Sequence, residues 1–211
     1  MTLLVTSCSG GGEKEALADD YLCQLPSSSA EQGAVQKMLD TDTVRTTILK
    51  RTSDLGDRLG EALRRMEPGG EALPSHLCLF QNAPGGSVTG GSEASVRTML
   101  QWATPEEGRV AGRPLRNANR YVVNGLPAEA NEGDAKFSFS CVMRGELRDA
   151  SRRAQMIGWV SLTGGPREGP QREWDVQHVA LSYLMAQKAV EVLGCENKPL
   201  QGEPVVKPGK G

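Results

Sequence analysis

The chain offers few residue types suited to chemistry: two histidines, five cysteines, a glycine-serine loop and a handful of acidic pairs. His76 stands two positions before Cys78, a spacing that can chelate. A tetrahedral metal site needs three or four donors, and no third or fourth follows from the spacing, so no metal or other cofactor is implied. His178 lies beside Trp174, Leu181 and Met185 on the apolar side of a helical pattern. There it reads as a hydrogen-bonded core histidine rather than a general base. Gly85, Gly86, Ser87, Val88, Thr89, Gly90, Gly91 and Ser92 resemble a phosphate-cradling loop until Gly91, where the lysine that meets the phosphates should stand. Neither Ser87 nor Ser92 is framed as Gly-x-Ser-x-Gly, and no Ser-x-x-Lys occurs, so the usual serine-nucleophile markers are missing. Asp19 with Asp20, Glu106 with Glu107, and Glu132 with Asp134 fall in loop-like segments, where solvated charge is the expectation and a paired-carboxylate hydrolase finds no support. No catalytic residue is therefore assigned.

The cysteines are more informative, because they divide as one plus two plus two. Cys8 closes a short apolar stretch and precedes a glycine tether, whereas Cys23, Cys78, Cys141 and Cys195 lie inside segments that read as folded. An even internal set plus one terminal cysteine is what a lipid-anchored, disulfide-bonded protein outside the cytoplasm would carry. Four cysteines permit three connectivities. The pairing adopted as an expectation joins nearest neighbours, Cys23 to Cys78 and Cys141 to Cys195. The second bond would bolt the end of the last helix to a central strand, and the first would fix the N-terminal helical segment to a strand. Each closure of such a loop stabilises by roughly 4 kcal/mol through the entropy it removes from the unfolded chain. The opposite expectation is four buried free thiols in a cytosolic protein.

Leu4, Val5, Thr6, Ser7 and Cys8 resemble the end of a bacterial lipoprotein signal, in which the cysteine becomes diacylated. Ser9 to Gly12, then Glu13, Lys14 and Glu15, read as a flexible tether. The pattern departs from a full signal: seven residues precede Cys8, none of them Lys or Arg, and the apolar segment is shorter than the roughly 7–15 residues export requires. The expectation is a signal truncated at its start.

Composition narrows the function classes. With 24 basic against 26 acidic residues there is no global field to draw in nucleic acid, and nucleic-acid binding is not expected. No apolar run approaches the roughly 20 residues needed to cross a bilayer, so a membrane attachment would rest on a lipid at Cys8. At 211 residues the chain suits one domain, and 25 glycines with 12 prolines predict long loops.

The pattern along the chain predicts an α+β fold. Ser28 with Glu31 is a capping-box signature ahead of Val35, Met38 and Leu39, giving a short helix. Thr43 to Thr52 is β-branched and alternates weakly, fitting either a strand or a helix entry. Leu55, Leu59 and Leu63 recur every four residues, with Asp54/Arg58 and Glu61/Arg65 as i,i+4 pairs, so an amphipathic helix runs from Asp54 to Met66 and stops at Pro68, Gly69 and Gly70. Five antiparallel strands are expected at 77–81, 95–103, 121–123, 136–144 and 155–163, with 104–118 a solvated loop. A long helix from about Glu173 to Leu193 should lie across the sheet, ended by Gly194 in the left-handed cap position with Cys195 next. The organisation read from this is a signal remnant and tether at 1–15, a single α+β domain at 16–195, and a flexible tail at 196–211.

On Cys8 with its tether, Cys23 in Leu-Cys-Gln-Leu-Pro, Cys78 opening a strand, Cys141 in a strand, and Leu193, Gly194, Cys195 and Glu196 ending a long helix, the chain resembles the small extracytoplasmic lipoproteins of actinobacteria, many with domains of unknown function. The resemblance implies lipid anchoring to the cell membrane and disulfides. It transfers no catalytic residue. The expected function is a non-enzymatic binding module for an envelope protein or small ligand, and the alternative is an extracytoplasmic enzyme acting on envelope components.

Overall fold

The structure, a computed structural model, describes residues 17–83, 94–164 and 169–209. Its centre is a pair of nine-residue strands, β3 (Ser95–Ala103) and β7 (Gln155–Thr163), in unbroken antiparallel register from Ser95 opposite Thr163 to Ala103 opposite Gln155. Around this pair an eight-stranded antiparallel sheet is built from β1 (Val44–Ile48), β2 (Ser75–Asn82), β4 (Asn119–Val123), β5 (Leu126–Ala130), β6 (Asp134–Phe139) and β8 (Val206–Pro208). The order across it is β1-β2-β3-β7-β6-β5-β4-β8.

Period-two alternation sends Val96, Leu100 and Trp102 of β3, Phe137 and Phe139 of β6, and Met156, Val160 and Leu162 of β7 to one face, all of them buried. On that face lie three helices, α1 (Ala30–Leu39), α2 (Leu55–Arg65) and α4 (Gln171–Leu193). Phe137 stacks on Phe139 with centroids 5.3 Å apart and meets Tyr183 of α4 at 5.6 Å, while Trp102 donates its indole N–H to the Leu59 carbonyl of α2 at 3.0 Å. Helix α4 packs tightly at Gly158, where a Cβ would stand 2.6 Å from the Phe137 ring and 3.0 Å from Ala186. Among the described residues no helix is long and apolar enough to cross a membrane.

The fold class and the long C-terminal helix are as expected, with three more strands than the five expected. Thr43 to Thr52 resolves to strand β1. Helix α2 carries the Glu61–Arg65 ion pair at 2.6 Å, and α4 ends with Gly194 in the left-handed region. The capping residue of α1 is Ser29 rather than Ser28: the Ser29 hydroxyl accepts from the Gln32 N–H at 3.1 Å, one residue later than the expected box. Ser29→Ala should therefore cost about 1 kcal/mol of stability, and Ser28→Ala, an exposed neighbour, less than about 0.5 kcal/mol. Urea melts of the two variants check this, and equal losses would reject the assignment.

Three segments besides the 104–118 crossing depart from expectation. Strand β5 was not foreseen; it is joined to β4 by Asn124 and Gly125, both at positive φ (49° and 86°), a two-residue hairpin turn. Strand β6 stops at Phe139, and the chain then passes through a 3-10 turn (Gly145–Leu147) and α3 (Arg148–Arg152) instead of extending as strand to Arg144. The helical turns are fixed by Ser151, whose hydroxyl donates to the Arg148 carbonyl and accepts from the Met143 N–H, both at 2.9 Å.

The third departure is the C-terminal segment, where a loose tail was expected. Residues 196–209 instead continue the fold: Leu200 is buried, and β8 pairs with β4 from Tyr121 opposite Pro208 to Val123 opposite Val206. Asn124 holds this return, donating from its side chain to the Gln201 and Glu203 carbonyls and accepting from the Val205 N–H at 2.8 Å. A strand this short, carrying Pro208, is tolerated because it forms the sheet edge.

Both internal disulfides are present with nearest-neighbour pairing, Cys23–Cys78 and Cys141–Cys195. The first ties the turn ahead of α1 to β2. The second ties the chain just beyond β6 to the residue after the α4 cap, and three hydrogen bonds flank it: Glu196 N–H to the Val142 carbonyl, Val142 N–H to the Asn197 side chain, and Asn197 to the Ser140 carbonyl.

Candidate functional site

The sheet face away from the helices carries the charged residues of the strands, and part of it is covered by the 104–118 segment. That segment was expected to be solvated. Instead Val110 and Ala111 are buried, and the crossing is pinned at successive points. Ala111 N–H donates to the Ser138 hydroxyl at 3.3 Å, Leu115 N–H to Glu129 Oε1 at 2.8 Å, and Arg113 N–H to Glu71 Oε2 at 3.0 Å. Lys136 Nζ, with only 2% of its side chain exposed, lies 3.1 Å from Glu129 Oε1 and donates to the carbonyls of Ala111 and Arg113.

Register explains how these charges meet. Arg120 of β4 stands opposite Glu129 of β5, which stands opposite Lys136 of β6, which stands opposite Trp159 of β7. Paired residues point to the same face, so the face away from the helices carries a cation–carboxylate–cation row that runs into an indole. In the next row, Lys207 of β8 stands opposite Val122 of β4, and Val122 opposite Pro127 of β5.

Between these rows and residues 108–110 of the crossing segment lies a cleft of ≈ 450 Å³. Its floor is apolar, formed by Val122 and Pro127 with Val110 across from them, and Arg109, Arg120 and Lys207 stand around it. None of the three cationic side chains has an ion-pair partner within 4.0 Å among the described residues. The one carboxylate of the lining, Glu129, is engaged by Lys136 and Leu115. Tyr121 contributes its backbone here, because alternation sends its side chain to the helix face. There its hydroxyl donates to Asp175 Oδ2 at 2.8 Å, and burial first, then the Asp175 carboxylate, pushes the phenol well above its ordinary range. Asp175, fully buried on α4, also accepts from Asn119 at 2.8 Å and Gln171 at 2.7 Å.

A larger groove of ≈ 680 Å³ runs between the C-terminal half of α2 and residues 66–76. Its lining mixes signs, with Lys50, Arg58 and Arg65 against Glu61, Glu67 and Glu71, and Glu61 is already paired with Arg65. His76 borders it, held below the usual histidine range by burial and then by the nearby Arg97 and Lys50. The smaller cleft is the better candidate, because its charges other than the engaged Glu129 share a sign and surround an apolar floor.

The residues singled out in the sequence are dispersed. His76 pairs with Met99 and Cys78 with Thr98 across a bulge in β2, so the two neighbours project to opposite faces, and Cys78 is in a disulfide. His178 is buried on α4, its ring 6.2 Å from Trp174, in the core position expected. Asp134 accepts from the Trp159 indole at 3.1 Å, and the Asp19 carbonyl accepts from Thr52 N–H. Among the described residues no group of three or more His, Cys, Asp or Glu is arranged to hold a metal. Cys8, its tether, and the loop with Ser87 and Ser92 lie outside the described residues.

Arg120, Lys207, Glu129 and Lys136 were not foreseen as a group. The Asn-Gly dipeptide at 124–125 was the available signal, since a two-residue hairpin there fixes Arg120 opposite Glu129. Compared with protein-family models, with curated proteins and with solved structures, the chain matches none of them.

Proposed function

We propose that this chain is a binding module of the bacterial cell envelope, held to the membrane by a lipid on Cys8 and working outside the cytoplasm without catalysing a reaction. The observation that carries this reading is the pair of buried disulfides, which tie the two ends of the fold to the sheet. Disulfides persist in oxidising compartments, and a reducing cytosol works against them. With all four internal cysteines paired, the remaining one is Cys8, which stands after the apolar and small residues of a lipoprotein signal and before a glycine tether. The similarity to small actinobacterial lipoproteins belongs to the same proposal. Binding is favoured over catalysis because Asp175, the fully buried carboxylate, is spent on Asn119, Tyr121 and Gln171 inside the core, while the accessible cleft offers cations over an apolar floor.

The test is intact mass of the protein expressed from its natural locus, after separating membrane from cytosol, with and without reduction. The expected species is membrane-associated, begins at Cys8, carries a diacylglycerol, and gains two hydrogens per disulfide on reduction. An unmodified cytosolic species whose mass is unchanged by reduction would end the proposal.

A further inference from the structure

Resting on the reading of the chain as a binding module, we propose that the cleft beneath residues 108–110 binds a small organic anion: one carboxylate, sulfonate or phosphate head on an apolar body. The lining sets this chemistry. Val122 and Pro127, held side by side by the β4–β5 register, give an apolar floor, and Val110 from the crossing segment faces it with a further apolar side chain. Arg120 and Lys207 are fixed at its edge by strand pairing, and Arg109 approaches from the crossing segment. Three cations against one carboxylate leave the lining net positive, and that carboxylate already serves Lys136 and Leu115. An anionic head among these cations gains their attraction, while an apolar body covers the floor. Arginine forks suit flat or tetrahedral oxyanions, which they grip bidentately. A volume of ≈ 450 Å³ falls in the range of small-molecule pockets.

The cleft also lies across the sheet from the start of the described chain. The N-terminal segment enters beside Cys23, bonded to β2 near one edge of the sheet, whereas the cleft occupies the β4–β8 edge on the opposite face. The proposal commits to a ligand free in solution, and the vesicle arm of the titration tests the alternative source of the same head group, a membrane lipid.

The experiment titrates the purified full chain with 8-anilinonaphthalene-1-sulfonate, followed by fluorescence and calorimetry at low salt, and then displaces it with dodecanoate, dodecyl phosphate, uncharged dodecanol and phosphatidylglycerol vesicles. The expected result is saturable one-to-one binding that weakens with salt and is displaced by the two dodecyl anions but not by dodecanol or vesicles. The Arg120→Ala/Lys207→Ala variant should bind about 10-fold more weakly or worse. Both side chains are exposed, so an unchanged melting temperature separates lost binding from lost fold. Vesicles displacing as well as dodecyl phosphate would overturn the free-ligand assignment. Absence of saturable binding, or a double variant that binds like the parent, would overturn the site itself. Either result leaves the mass measurement standing, and a cytosolic mass would leave this titration intact, so the two readings fail separately.

Discussion

Replacing Cys141 and Cys195 together by alanine is expected to lower the unfolding free energy by about 4 kcal/mol, the loop-closure value for the 54-residue separation the bond spans. Geometry makes this site a clean measure of the unfolded-chain contribution. The hydrogen bonds among Ser140, Val142, Glu196 and Asn197 hold the two segments together independently of the sulfurs, so the native state has little reason to rearrange when they are removed. A loss of that size is a large share of the 5–15 kcal/mol typical of a domain. The variant should still fold at room temperature and melt well below the parent. Guanidinium melts of the oxidised parent and the variant decide it: a difference under about 1 kcal/mol would mean that the unfolded chain is already compact around this loop.

Glu129→Ala is expected to cost about 3 kcal/mol or more, because it strands a charge the fold has buried. Lys136 keeps the Ala111 and Arg113 carbonyls but loses the carboxylate, and the Leu115 N–H loses its acceptor at the same time. Lys136→Met should cost less. It leaves Glu129 opposite Arg120 and still bonded to Leu115, so the remaining charge is not alone. Glu129→Leu combined with Lys136→Met should recover most of the loss, as apolar replacement of buried ion pairs often does. Melts of the three variants test the ordering, and a Glu129→Ala variant no less stable than Lys136→Met would show that Arg120 contributes nothing to Glu129.

The elements read correctly from sequence are those whose signal is local. Ser95–Ala103 and Gln155–Thr163 are apolar and β-branched runs long enough to declare themselves, and the final helix carries its own stop at Gly194. Strand β5 hid because Pro127, Glu129 and two alanines are poor strand formers in a five-residue run; only the Asn124–Gly125 turn announced it, through its need for positive φ. Strand β8 hid more completely, since Val206–Pro208 owes its place to the grip of Asn124 rather than to apolar content. The candidate cleft was illegible for a related reason. Lys136 follows the polar phase of its strand, and its burial depends on a glycine- and proline-rich crossing whose composition reads as solvated. Arg120 and Lys207 become neighbours only when the end of the chain returns to pair with β4.

The two disulfides also decide how the domain would answer a pull on its ends. Tension entering from the N-terminus reaches Cys23 and passes through sulfur to Cys78, so α1, β1 and α2 sit on a closed loop that carries no load. Tension from the C-terminus likewise passes from Cys195 to Cys141, leaving α3, β7 and α4 on a second unloaded loop. Between the crosslinks, only the stretch from Cys78 to Cys141 can be drawn out. A molecule tethered at one end and tugged at the other would thus keep its long helix and its central strand β7 within locked loops.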